Sequence, residues 1–127
     1  VQALEILCRE MGERLGAPVR TDLKAARLDP PAELTLYRIA QESLTNIGKY
    51  ARCQAVEVRL HSEGDAVCLS VHDDGCGFDP LQVPHGRHGL RGMRVRVESH
   101  GGELSVRSTP GGGTTVIARL PVTAVAG

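Results

Sequence analysis

Three polar residues, Glu42, Asn46 and Lys49, stand four and then three positions apart within "AELTLYRIAQESLTNIGKYA". On a helix that spacing sets them along one stripe. A carboxylate, an amide oxygen and an ammonium in a row suit a metal-bound phosphate: Mg2+ takes oxygen ligands, and an ammonium meets phosphoryl oxygens. A solvated helix face with an ion pair would read the same way. A second group lies in "LSVHDDGCGFDP", where the alternation Val67, Leu69, Val71 runs into Asp73 and Asp74 and then into Gly75 and Gly77. Glycine permits positive φ and the close approach of a flat ligand. An ionised carboxylate only accepts hydrogen bonds, so Asp73 would select a ring bearing an amino donor, as adenine does, over guanine. A plain "DDG" turn is the other reading. The spacing of a calcium loop is absent.

The third group is "GRHGLRGM". Gly86, Gly89 and Gly92 precede and open a helix, whose first amides can bind phosphate. No Walker motif occurs, and no parallel βαβ unit follows that would make this a dinucleotide fingerprint. His85 and His88 lack a third metal ligand nearby. In "PGGGTTVIARLP", a hairpin accounts for Gly111 to Gly113 ahead of Thr114.

Periodicity supplies the elements that would position these residues. "VQALEILCREMGERLG" reads as a helix with Leu4, Leu7, Cys8, Met11 and Leu15 inward and Gly16 as its stop; it opens in mid-pattern, as a segment of a longer chain would. "APVRTDL" reads as a strand and "RLDPPAE" as a loop stiffened by its prolines. The long helix that follows should present Leu34, Tyr37, Ile39, Leu44 and Ile47 as a broad apolar face. "AVEVRLH" and "AVCLSVH" alternate around the turn "SEGD" and predict an antiparallel hairpin. After an aperiodic Pro- and Gly-rich stretch, "LRGMRVRVESHGG" is a helix with Leu90, Met93 and Val97 inward and Gly101-Gly102 as its end. Two more alternating strands close the chain. The order α β α β β α β β predicts an α+β domain, an antiparallel or mixed sheet with helices on one face.

The 127 residues suffice for one domain with a core, and aromatics at 2% leave that core aliphatic. Lys and Arg balance Asp and Glu at 15 each, which argues against a non-specific nucleic-acid partner. Cys8, Cys53, Cys68 and Cys76 form no CxxC pair and read as small buried hydrophobes in a reducing compartment. No apolar run nears the roughly 20 residues that span a bilayer, so the domain is expected to be cytoplasmic with no membrane contact of its own.

"LYRIAQESLTNIGKYA", "VHDDGCGFDP", "HGLRGMRVRVESHGG" and "TPGGGTTVIARLP", in this order, resemble the ATP-binding domain of two-component sensor histidine kinases. The likeness covers roughly residues 30 to 121 and is greatest to the nitrate- and oxygen-sensor subgroup. It implies a Bergerat-type two-layer α/β sandwich with a mixed, mostly antiparallel sheet, shared with gyrase, the Hsp90 chaperone and MutL. By that resemblance Asn46 would coordinate Mg2+, Lys49 would meet phosphate and Tyr50 would pack on the purine or ribose. Glu42 would bind Mg2+ or orient the attacking group. Asp73 would accept the adenine amino group over a floor shaped by Gly75 and Gly77, with Asp74 only a solvated neighbour. Gly89, Leu90 and Arg91 would form the second glycine box at the phosphates, and Thr114 would help Asp73 fix adenine through a shared water. The expected division is residues 1–16 as a linker or the end of a dimerisation helix, 17–122 as the ATPase domain and 123–127 as a tail.

The sequence departs from the family pattern in three places. Gly48 replaces a larger residue, Tyr50 stands where the subgroup often has His, and in "RHGL" the first glycine of G-x-G-L is missing or displaced to Gly86. None of His61, His72, His85, His88 or His100 lies in a long amphipathic helix followed by an acid, as a phosphoacceptor would. The resemblance therefore implies that the γ-phosphate of ATP goes to a histidine on a separate dimerisation domain and onward to a response regulator. A serine kinase of the anti-sigma type and a degenerate, nucleotide-independent interaction module share the fold and stay open.

Overall fold

The computed structural model describes residues 2–15, 19–24, 30–50, 55–75, 89–108 and 113–121. Its order is α1 (Gln2–Leu15), β1 (Val19–Leu23), α2 (Pro30–Tyr50), β2 (Val56–Glu63), β3 (Ala66–Asp73), α3 (Gly89–Ser99), β4 (Glu103–Ser108) and β5 (Thr114–Pro121). The five strands form one sheet in the order β1-β2-β3-β5-β4. β1 runs parallel to β2, and every other pairing is antiparallel. The expected mixed sheet is therefore present, and β3, which ends in Asp73, is its middle strand.

Alternation decides which face is covered. Val56, Val58 and Leu60 of β2, Val67, Leu69 and Val71 of β3, and Val116, Ala118 and Leu120 of β5 are buried on the side where the helices pack. Leu36, Ile39, Ala40 and Leu44 of α2, Met93 and Val97 of α3, and Leu4, Leu7 and Cys8 of α1 meet them in a single aliphatic cluster. Each Val, Leu, Ile or Met among them contributes roughly 1.5–3 kcal/mol by leaving water. Burial pushes the Cys8 thiol up to about 11, so it serves as a small apolar residue, as expected; Cys8 and Cys68 are both buried free thiols. Cys53 and Cys76 lie outside the described residues.

Three expectations need correction. α2 begins at Pro30, so both prolines lie in its first turn rather than in a loop. First-turn amides have no helical acceptor, and proline's fixed φ suits that place. Leu34 is 51% exposed; Leu36 and Ala40 take the inward positions instead. The turn between β2 and β3 is two residues, Gly64-Asp65, because Ser62 and Glu63 still pair with Val67 and Ala66. Gly64 meets the tight loop's demand with φ 57°.

The end of α3 follows the expected glycine stop. Gly101 adopts φ 76°, its amide donates to Glu98 O at 2.9 Å, and the Gly102 amide reaches back to Val97 O at 3.0 Å. This is the Schellman pattern. A side-chain link then ties α3 to α2. The Thr35 hydroxyl donates to Pro31 O at 3.0 Å, so the His100 Nε2 lying 2.8 Å from the same oxygen must be the donor. That fixes where the ring's proton sits.

Candidate functional site

β3 carries its alternation one step past the hydrophobic run, and the step places a carboxylate in the core. Val67, Leu69, Val71 and Asp73 share the helix-covered side, and Asp73 is only 1% exposed. Burying a charged group is costly unless donors surround it. One is supplied at once: the Gly75 amide donates to Asp73 Oδ1 at 2.8 Å, closing a local turn. Gly75 is itself buried.

Asp74 points the other way and is exposed, but it is more than the solvated neighbour expected. The Ala55 amide donates to its Oδ1 at 3.0 Å, and its own amide donates to Ala55 O at 3.3 Å. The pair clamps the entrance of β2 to the exit of β3 and so fixes the backbone from which Asp73 hangs.

Thr114 lies directly opposite Asp73 in the β3–β5 register, so the structure brings together these two expected site residues. Its hydroxyl is 2.8 Å from that of Ser108. Ser108 already donates to Gly113 O at 3.1 Å, so Thr114 is the donor in the pair and keeps its lone pairs to receive a further hydrogen bond. Beside them is Gly113, for which a hairpin turn alone would account in the sequence. Gly113 has φ 81°, and a Cβ there would sit 2.3 Å from Asp73 O. The glycine is required by the passage of one backbone against another, at the carboxylate's own residue.

Glu42 is half-buried on α2 and lines a cleft of about 210 Å3 between α2 and α3, with Arg38, Gln41, Gly92, Met93 and Arg96. Ser43, next to Glu42 on α2, donates to Met93 Sδ at 3.6 Å and so links α2 to α3. The described walls of that cleft do not include Asp73. Asn46, Lys49 and Tyr50 are carried by the last turns of α2, and Gly89, Leu90 and Arg91 by the first turn of α3, but their side chains lie outside the description. Gly77, Gly86, His85 and His88 are outside the described residues altogether.

Residues 32–124 match the family model described as the histidine kinase-, DNA gyrase B- and HSP90-like ATPases. The chain belongs to this ATPase family. It is 35% identical over 100 residues to the signal transduction histidine-protein kinase/phosphatase DegS of Brevibacillus brevis, covering 79% of this chain and 26% of that protein. It is also 35% identical over 127 residues to the sensor histidine kinase MctS of Rhizobium johnstonii, covering 96% of this chain and 27% of that one. The chain thus spans about a quarter of the length of these curated relatives.

The fold has the same neighbours. The histidine kinase domain of the Erythrobacter litoralis EL346 blue-light activated histidine kinase superposes with a TM-score of 0.78 at 23% identity, covering 94% of this chain and 59% of that one. The Acinetobacter baumannii histidine kinase AdeS gives 0.77 at 12% identity, covering 96% and 64%. The α+β sandwich expected from the sequence is therefore that of histidine kinase ATPase domains. Within this ATPase domain Gly113, Ser108 and Ala55 were missed. A run of three glycines, longer than a tight hairpin turn needs, was the available sign for Gly113.

Proposed function

We propose that this ATPase domain binds Mg-ATP for a sensor histidine kinase and presents it to a histidine on a dimerisation domain beyond this chain. The observation that carries the reading is Asp73: a buried carboxylate at a strand end, with Thr114 opposite and a glycine where any Cβ would collide. A buried acceptor-only group fits the amino edge of adenine, and the Thr114 lone pairs fit a bridging water. Gly75 and Gly77 would leave the floor open to the ring, and Tyr50 would cover the purine or ribose. Asn46 and Glu42 offer the oxygen donors that Mg2+ prefers, Lys49 offers the ammonium for phosphate, and the amides of Gly89, Leu90 and Arg91 would receive the remaining phosphoryl oxygens.

Bound ATP would supply the γ-phosphoryl group; the chain's own part is to orient the nucleotide, balance charge and exclude water. The identity to DegS and MctS, both named as histidine kinases, supports a histidine acceptor; the onward step would be to a response regulator. The short stretch between Gly75 and Gly89 supports the nitrate- and oxygen-sensor-like subgroup. We assign residues 17–122 to the ATPase domain, 1–16 to the end of a dimerisation or linker helix docked on it, and 123–127 to a tail. Among the described residues no helix is long and apolar enough to cross a membrane; we place the site of action in the cytoplasm.

The test mixes the chain with γ-labelled ATP and a helical hairpin bearing a histidine followed by an acid. Acid-labile label on the hairpin is expected. Label passing instead to a serine-bearing partner would assign the anti-sigma type, and no ATP-dependent thermal stabilisation would leave only an interaction module. A separate expectation concerns Asn46→Ala. Calorimetry should show a loss of about tenfold in affinity with Mg2+ present and a smaller one in chelator, in line with one lost oxygen ligand. Equal losses in both would remove Asn46 from the metal.

A further inference from the structure

The uncovered face of the sheet carries a second cluster. His61 and Glu63 are two residues apart on β2 and so share a face, and the register sets Cys68 of β3 directly opposite His61. One donor atom from each, a ring nitrogen, a carboxylate oxygen and the thiol sulfur, lie within 4.8 Å of one another. We propose that His61, Glu63 and Cys68 form a binding site for a zinc-class divalent cation.

The donor set chooses the metal. Imidazole, thiolate and carboxylate suit Zn2+ or Co2+ and not the hard Mg2+ that accompanies a nucleotide. With three protein groups, water takes the remaining position. The ring's hydrogen bonding decides which nitrogen the metal would take. His61 Nε2 lies 2.9 Å from Glu63 Oε1, the pairing in which an imidazole donates to a carboxylate. A cation that takes both groups as ligands would stand at Nε2 in place of that proton, since two ligands of one tetrahedral ion lie little further apart than this. Nδ1 is buried without a hydrogen-bond partner among the described residues, so moving the ring's proton onto it breaks no hydrogen bond.

The charges around the cluster set what metal uptake must overcome. Burial, and then the charge of Glu63, push the Cys68 thiol upward against an opposing effect of Arg119. A thiol that becomes a thiolate ligand gives up its proton, so uptake of the metal releases one. Arg119 lies opposite Cys68 and places Nη1 3.5 Å from Glu63 Oε2. It is the competing cation that a metal would push aside. Access is open on two sides, through a cleft lined by His61 with Asp22, Lys24, Arg59 and Ser62, and through another that Glu63 shares with Asp65 and Arg119.

The cluster lies five residues back along β3 from Asp73 and on the opposite face, roughly 17 Å away at strand rise. It therefore does not rest on the nucleotide reading. The test titrates Co2+ and then Zn2+ into the reduced, nucleotide-free chain, with Cys53 and Cys76 replaced by serine so that Cys8 and Cys68 are the remaining thiols. One equivalent of Co2+ should give a thiolate-to-cobalt charge-transfer band, displaced by Zn2+, with a higher melting temperature for the loaded protein. Cys68→Ser should abolish the band. His61→Gln, at a partly exposed position, should weaken binding by about tenfold or more without loss of secondary structure, and Glu63→Gln by less. Arg119→Gln should tighten it. Absence of the band at neutral pH, or a band and affinity unchanged in His61→Gln, overturns the site; since that variant leaves the buried thiol in place, a folding defect in Cys68→Ser does not blunt the test.

Discussion

Asp73→Asn is expected to reduce ATP affinity by roughly a hundredfold while leaving the protein folded. The amide keeps an oxygen where Oδ1 now accepts the Gly75 amide at 2.8 Å, so the local turn has no reason to open. What changes is the second oxygen. A charge-assisted hydrogen bond to the adenine amino group, about 1.5–3 kcal/mol, becomes a meeting of two donors, and each 1.4 kcal/mol is a factor of about ten. The preference for ATP over GTP should shrink as well, because the new amide can donate to a carbonyl. Calorimetry with both nucleotides, beside a melting curve, separates the cases: an unchanged ATP affinity would remove Asp73 from the purine site, whereas a collapsed melting transition would show that the charge is needed for folding. Asp74→Asn is the matched control. It retains the acceptor for the Ala55 amide, faces solvent, and should change neither quantity appreciably.

Asp73 was legible because its position is a consequence of period. Val67, Leu69 and Val71 announce an inward face, and the acid that follows in step marks the strand end; its burial comes from the strand keeping that period one residue further. Met93 and Val97 on α3, and Leu4, Leu7 and Cys8 on α1, were legible for the same reason. Leu34 was not: on a 21-residue helix the choice between Leu34 and Leu36 depends on where the sheet and α3 lie, which local spacing does not contain. The insertion of β5 between β3 and β4 is likewise a long-range matter, and it is what sets Thr114 beside Asp73. Thr114 could be named from its resemblance to a family motif. Ser108 and Ala55 could not, because their contacts join segments whose meeting is decided by strand order. His61 and Cys68 belong to the same class: unremarkable in sequence, and neighbours because the turn between them is two residues rather than four.

Gly113 gives the other large effect. Gly113→Ala is expected to destabilise the fold by about 2–4 kcal/mol, since two costs add. An L-residue in the left-handed region costs roughly 1–2 kcal/mol, and the new methyl would lie 2.3 Å from Asp73 O, against backbone that cannot swing aside as a side chain would. At a few degrees per kcal/mol the melting temperature should fall by roughly 10 °C. Relief of the collision would have to part β3 from β5 at the Asp73–Thr114 pair, so the ATP affinity that remains should fall with it. Gly64→Ala isolates the first cost. Gly64 also has positive φ, 57°, but a Cβ there would meet nothing within 4 Å, and it lies at the far end of β3 from Asp73. It should lose only the dihedral part and bind ATP normally. Equal losses of stability in the two variants would mean that the crowding at Asp73 carries no energy, and a Gly113→Ala protein with full ATP affinity would mean that the purine does not depend on this junction of strands.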